Sequence, residues 1–241
     1  HRLASLKAKL PFIWVLDEAH GTGVFGHSGG GLAEETGVLP QVDILVGTQM
    51  LSKGHDFAGL TLVCVLSADQ GLYSLDFRGP ERLFQQLAQV SGRAGRRDSP
   101  GAVLVQTAHP DSSAFFRLEK HDFAGFAGDA LRERQAAGYP PYVRFALLRA
   151  ESTRSGAPMT FLRSAVLAAR AVPSRASVEV MSPVPSPMER RAGRYRAQLL
   201  VRSKDEGRFH RFLKAWVLGI EASPEAGRVR WSIDVDPQEM Y

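Results

Sequence analysis

Apolar positions recur along this chain at two different periods, and the alternation between them lays out an α/β plan. Leu83, Phe84, Leu87 and Val90 fall at helical spacing within residues 80–91, which places them on one buried face of an amphipathic helix. Short apolar runs rich in β-branched residues at 44–46 and 60–66 read instead as buried parallel strands, 12–16 reads as a buried strand, and 102–107 is another strand. Leu3, Leu6 and Leu10 open the chain at helical spacing. Residues 110–138 form a further helical region in which Phe115, Phe116, Leu118, Phe123, Phe126 and Leu131 are expected to supply core contacts. Gly138-Tyr-Pro-Pro-Tyr142 breaks helix and strand alike and reads as a rigid linker. Beyond it the pattern predicts strand 143–151, helix 158–172, strand 177–181, a Pro- and Arg-rich loop, strand 195–203, helix 206–222 and strand 228–235. That is the βαββαβ order of a ferredoxin-like domain.

Composition bounds the plan without redirecting it. With 241 residues, 44% hydrophobic and 23% charged, the chain holds one large or two small globular domains, and no apolar run reaches bilayer length. The single cysteine, Cys64, lies inside an apolar run and is expected to be a buried thiol. It excludes an internal disulfide and a cysteine-based metal cluster, no metal site is expected, and a reducing, cytoplasmic setting is the default. The opening His1-Arg2-Leu3 is neither an initiator methionine nor a signal peptide, so the chain reads as a fragment. Charge is more informative: residues 1–141 carry 13 Lys and Arg against 15 Asp and Glu, whereas residues 142–241 carry 17 against 10. The C-terminal basic excess fits a polyanionic partner or, equally, an arginine-rich coding bias.

Candidate chemistry concentrates in two stretches. After the predicted helix come Arg93 and Arg96, three residues apart and accompanied by Gly92 and Gly95, which are expected to let the backbone turn so that both guanidinium groups project together. Two planar cations held this way suit a triphosphate, while a solvated turn is the plain alternative. The second stretch, 182–196, carries Arg190, Arg191, Arg194 and Arg196 with Tyr195 among them. Such a loop can contact phosphates and stack on bases, or be a solvated edge. Asp17-Glu-Ala-His20 invites a reading as the Mg²⁺-binding element of a helicase. That reading is rejected, because only 22 residues separate His20 from Asp43 and no Gly-x-x-x-x-Gly-Lys-Ser/Thr loop lies upstream.

The string Gln86-Leu-Ala-Gln89-Val-Ser-Gly-Arg93-Ala-Gly-Arg96 is similar to motif VI of superfamily 2 helicases, in which the glutamine and both arginines reach the nucleotide. Asp43-Ile-Leu-Val-Gly-Thr-Gln-Met-Leu-Ser-Lys-Gly-His-Asp-Phe57 resembles motif V. Residues 66–82 resemble the replication-restart helicases of the primosomal protein N′ (PriA) family, and the resemblance runs from about Asp43 to Pro237. It implies a partial RecA-like lobe over 44–138 and a C-terminal domain over 142–241. Gln89, Arg93 and Arg96 would then serve catalysis, Gly47, Thr48, Gly54 and Asp56 would bind ATP and Mg²⁺ in the complete enzyme, and Gln49, Lys53 and His55 would face DNA. Arg190, Arg191, Arg194, Tyr195 and Arg196 would bind DNA or a partner protein. Implied partners are branched and single-stranded DNA, single-stranded DNA-binding protein and primosome proteins. The family's zinc-binding cysteines are absent here, and without a phosphate loop this polypeptide alone is expected not to hydrolyse ATP.

Residues 1–43 carry a different resemblance. Val15-Leu-Asp-Glu-Ala-His-Gly-Thr-Gly and the glycine-rich run after it look like pyridoxal-phosphate-dependent α-oxoamine synthases, so the chain reads as a join near Asp43. By that resemblance Asp17 would meet the pyridine nitrogen, His20 the ring and Lys53 would form the Schiff base. Two extra residues before Lys53 depart from the synthase pattern, the rest of the cofactor pocket is missing, and pyridoxal phosphate is not expected to bind. Besides the helicase reading, two alternatives stand: an acyltransferase fragment centred on Lys53, and a non-catalytic nucleic-acid-binding module formed by the last hundred residues.

Overall fold

A computed structural model describes residues 2–48, 61–92 and 101–240. The chain divides into two units, His1–Ser74 with Arg78–Phe126, and Leu75–Phe77 with Ala127–Tyr241. Both mix helices with sheet, so the α/β class holds.

The first unit contains two small parallel sheets. After helix α1 (Arg2–Lys7), strand β1 (Val15–Asp17) pairs in parallel with β2 (Ile44–Val46). The glycine-rich segment between them is pinned by Glu18, whose buried carboxylate accepts from Ala33 N at 2.8 Å within the short helix α2 (Leu32–Glu35). Strand β3 (Leu62–Val65) pairs in parallel with β4 (Ala102–Val105), and between them run α3 (Asp69–Leu72) and α4 (Gly79–Ser91). The periodicity of α4 does what it predicts. Leu83 and Leu87 are buried with Ala68 and Phe115 against Val65 and Val105, and Phe84 stacks on Phe126 at 4.1 Å. Phe115 and Phe126, in helices α5 (Ser113–Glu119) and α6 (Phe123–Ala137), join this core, whereas Phe116, Phe123 and Leu131 are exposed.

The strands of this unit are not the fully buried ones their composition suggests. A sheet of two strands covered on one face keeps only alternate side chains from water. Val63 and Val65 are half-buried, while Leu62, Leu66 and Leu104 are exposed. Cys64 lies on the uncovered side and is exposed, not a core thiol.

The second unit is built on β5 (Arg144–Ser152), the centre of a five-stranded antiparallel sheet with β6 (Glu179–Val180), β7 (Val184–Arg191), β8 (Arg194–Ser203) and β9 (Arg230–Val235). The order is β6-β8-β5-β9, with β7 also paired to β8. Helices α7 (Ala157–Arg170) and α8 (Glu206–Glu221) cover one face. Ala146, Leu148, Leu199 and Val201 meet Phe161, Leu162, Phe209, Phe212 and Trp216 there, all of them essentially inaccessible. Asp205 starts α8 by accepting from Arg208 N at 2.9 Å, the side-chain cap that an aspartate before a helix provides.

One element departs from expectation. Most of 182–196, read as a loop, is strand β7 and a tight hairpin into β8. Ala192 and Gly193 supply the turn at φ 48° and 77°, the paired left-handed geometry of a two-residue hairpin. Pro185 and Pro187 mask the strand in the sequence, but prolines are tolerated on an edge where no partner needs their N–H, and the register of β7 shifts between Pro185 and Arg190.

Strand β6 is only two residues long and is fastened by a cross-strand ion pair, Arg202 Nε to Glu179 Oε2 at 2.8 Å. The Arg202 hydrogen bond holds the Glu179 carboxyl below its ordinary value. Because the folded pKa is depressed, this contribution is present above the unfolded value of about 4.3 and is lost as pH falls through the folded one. The difference in melting temperature between wild type and Glu179→Gln is therefore expected at neutral pH and should shrink towards zero below about pH 4. A difference that stays constant across that range would rule the linkage out. The pair is exposed, so the shift is expected to be small.

Candidate functional site

Helix α4 presents its second face to solvent: Gln85, Gln86 and Gln89 are exposed opposite Leu83 and Leu87. Gln89 thus sits on the open side of the helix, four positions before Arg93 in the sequence. Arg93, Arg96 and Gly95 lie outside the described residues. Gly92 ends the helix with its N–H on Ala88 O, at φ −74°, and among the described residues a Cβ there would meet nothing closer than 3.7 Å. Gly47 and Thr48 follow β2 and are exposed, while Gln49, Lys53, Gly54, His55 and Asp56 lie outside the described residues.

A polar group that the motifs do not announce closes the carboxyl ends of β3 and β4. Asp69 accepts from Thr107 Oγ1 and from Ala108 N at 2.9 Å, and Tyr73 meets His109 edge-on at 4.9 Å. The Thr107 hydrogen bond, then that of Ala108, holds the Asp69 carboxyl below its ordinary range.

The basic residues of the second unit are brought together only in part, because side chains alternate across a sheet. Arg190 lies opposite Tyr195 and its guanidinium carbon stands 5.3 Å from the centre of that ring, a cation–π pair. Arg191 lies opposite Arg194, and Arg194 and Arg196 fall on the face away from Ala197 and Leu199, which is the face without helices. The five residues therefore split between two sides of the hairpin.

What Arg194 and Arg196 meet on the open face comes from strands remote in sequence. In the sheet register Glu151 of β5 lies opposite Arg196 of β8 and, on its other side, opposite Arg230 of β9. Its Oε1 is 3.9 Å from Arg194 Nε and 3.7 Å from Arg230 Nη1. Arg149 shares this face but is committed, with Asp234 at 2.9 Å and the carbonyl of Glu239 at 2.5 Å. A shallow cavity of about 370 Å³ opens here, lined by Glu151, Ser186, Arg196, Arg230 and Ser232 among others. Arg149, Glu151 and Arg230 escape a reading that looks for local density of charge. The alternation Arg149-Ala-Glu151 and Arg230-Trp-Ser232-Ile-Asp234 is the signal that places them on one face.

Comparison with known proteins follows the same division. Residues 135–238 match the model of the primosomal protein N C-terminal domain. The chain is 37% identical to the replication restart protein PriA of Haemophilus influenzae over 82% of its own length and 27% of that protein's. It is 40% identical to the Synechocystis protein of the same name, over 82% of this chain and 23% of the relative, and 36% identical to that of Bacillus subtilis, over 83% and 25%. The chain thus spans about a quarter of the length of these relatives. All three carry the name replication restart protein, and the synthase-like reading of residues 1–43 gains no support from them. Among the described residues no helix is long and apolar enough to cross a membrane.

Proposed function

We propose that this chain is the C-terminal portion of an ATP-dependent DNA helicase that acts in primosome assembly and replication restart. The observation that carries the reading is that similarity to the replication restart proteins extends well beyond residues 135–238, into the part of the chain that holds the motif strings. In this reading the first unit is part of a RecA-like lobe. Its parallel pair β3 and β4 backs α4, which carries Gln89 towards the nucleotide ahead of Arg93 and Arg96. An exposed amide followed in the sequence by two arginines is a donor set that fits a triphosphate. Gly47, Thr48, Gly54 and Asp56 complete the contacts to ATP and Mg²⁺, and Gln49, Lys53 and His55 face DNA. When bound, ATP supplies a γ-phosphoryl group whose transfer drives motion on DNA. Arg93 and Arg96 neutralise the charge that develops on its oxygens, and Gln89 orients the attacking water.

The second unit is ferredoxin-like in this reading. With β7 set aside, the order β6-β8-β5-β9 and the two helices on one face support that reading. Its open face offers Arg194, Arg196 and Arg230 to phosphates of single-stranded or branched DNA, and the Arg190–Tyr195 pair offers a ring on which a base can stack. Single-stranded DNA-binding protein and other primosome proteins are the protein partners, and the setting is the cytoplasm.

Fluorescence anisotropy of a labelled oligothymidylate, titrated with the whole chain at several salt concentrations, tests the DNA reading. Each single-strand phosphate contact contributes about 0.7 to the slope of log K against log salt, so Arg194→Ala/Arg196→Ala/Arg230→Ala is expected to flatten it by roughly 2. Unchanged curves would remove nucleic acid from this face. Weakened binding of an acidic tail peptide, with DNA binding unchanged, would assign the face to single-stranded DNA-binding protein instead.

A further inference from the structure

The carboxylate at the centre of the arginine cluster has a geometry unlike that of its neighbours. Arg144, Arg149 and Arg202 each hold a carboxylate at hydrogen-bond distance: Glu206 at 2.8 Å, Asp234 at 2.9 Å and Glu179 at 2.8 Å. Those arginines are committed to the fold. Glu151 stands 3.9 Å from Arg194 and 3.7 Å from Arg230, beyond hydrogen-bond reach of both, so it neutralises charge there without locking either side chain. Arg196, directly across the ladder from Glu151, has no ion-pair partner among the described residues. Two guanidinium groups thus flank one loosely held carboxylate, and Arg196 lines with Glu151 and Arg230 a cavity at the small end of the range for ligand pockets. Arg230 is 78% exposed and Arg194 42%, so both can swing away from Glu151 at little cost.

We propose that Glu151 is a built-in counter-anion, which keeps Arg194, Arg196 and Arg230 gathered in the free protein and opposes the DNA phosphate that takes its place. The proposal rests on the nucleic-acid reading of this face. Without Glu151 three like charges on adjacent strands would repel one another, which is destabilising for cross-strand neighbours. Once a phosphate enters, the same carboxylate becomes a like charge a few ångströms away and lowers the affinity. Glu151 therefore makes the contact weak and readily released, as suits a surface that must let go of DNA as it moves.

The test adds Glu151→Gln to the anisotropy titrations of the whole chain on labelled oligothymidylate. A carboxylate about 6 Å from a phosphate in a water-like dielectric weakens binding roughly threefold, so the glutamine variant is expected to bind about three times more tightly. It is also expected to steepen the salt dependence by up to about 0.7, because an arginine freed from its counter-anion releases one more bound ion. The gain should vanish in the Arg194→Ala/Arg230→Ala background, which ties it to this cluster. Equal or weaker binding by Glu151→Gln overturns the proposal while the triple-alanine variant still weakens binding, and the nucleic-acid reading then survives. If the triple-alanine variant binds like wild type, the reading itself fails and the proposal falls with it. A small drop in melting temperature for Glu151→Gln is the expected control, because the exposed arginines it leaves unbalanced can move apart in water, and a large loss of stability would make Glu151 a structural residue and overturn the counter-anion role.

Discussion

Trp216→Ala is expected to destabilise the second unit by about 3–5 kcal/mol, the usual cost of emptying a large aromatic site in a core. Trp216 is fully buried, stacks against Phe212 at 5.4 Å and donates from Nε1 to the Ala165 carbonyl at 2.7 Å, so it joins α8 to α7 by packing and by a hydrogen bond. A domain of this size has a total stability of about 5–15 kcal/mol, so the loss is a large share of it. Trp216→Phe keeps most of the ring volume and removes the donor, and about 1–2 kcal/mol is expected. Leu104→Ala is the contrasting case: at 58% exposure it should change stability by less than about 0.5 kcal/mol. Because the chain has two units, one global melt is a poor measure. Hydrogen exchange followed peptide by peptide is better, with the loss of protection expected in residues 157–170 and 206–221. A cost below about 1 kcal/mol for Trp216→Ala would show that this residue does not hold the two helices together.

The contrast between Trp216 and Leu104 also shows which parts of the fold are legible in the sequence. Helix α4 is, because Leu83, Phe84 and Leu87 recur every three to four residues and only one helix face can bury that stripe. Burial of Cys64 and Leu62 is misread, since an apolar run says that a strand can be covered on both faces without saying that both are. Strand β7 is hidden because Pro185 and Pro187 read as breakers, whereas an edge position removes the reason for avoiding them. For the basic cluster, sequence proximity gathers the wrong set. Arg190 and Arg196 are near in the chain but fall on opposite sides of the hairpin, while Glu151 and Arg230 reach Arg196 only through strand pairing. Register is the missing information, and it is decided by packing of the helix-covered face, where Leu148, Leu199 and Ile233 have to meet.

Arg96→Ala is expected to reduce the ATP turnover of a complete helicase carrying this lobe by on the order of 10³ in kcat, the effect of removing an arginine that stabilises phosphoryl-transfer charge. The 241-residue polypeptide alone should show no turnover above background, because the string Gln-x-x-Gly-Arg-x-Gly-Arg supplies charge stabilisation and neither a phosphate loop nor a Mg²⁺ carboxylate. The informative protein is therefore a hybrid in which the matched residues of this chain replace those of the Haemophilus influenzae relative. Gln89→Ala in the same hybrid should cost less than Arg96→Ala, since a neutral amide positions water while a guanidinium cancels developing charge. Leu87→Ala separates chemistry from folding. Leu87 is 2% exposed on the opposite face of the same helix, so its loss should lower stability by about 2–5 kcal/mol and remove turnover only where the lobe unfolds. Single-turnover measurements with saturating ATP read the chemical step directly. A loss below about threefold for Arg96→Ala would remove this residue from the nucleotide site, since a lost arginine finger costs at least about 10³. Turnover by the isolated chain that Arg96→Ala abolishes would show that it carries a complete phosphoryl-transfer site.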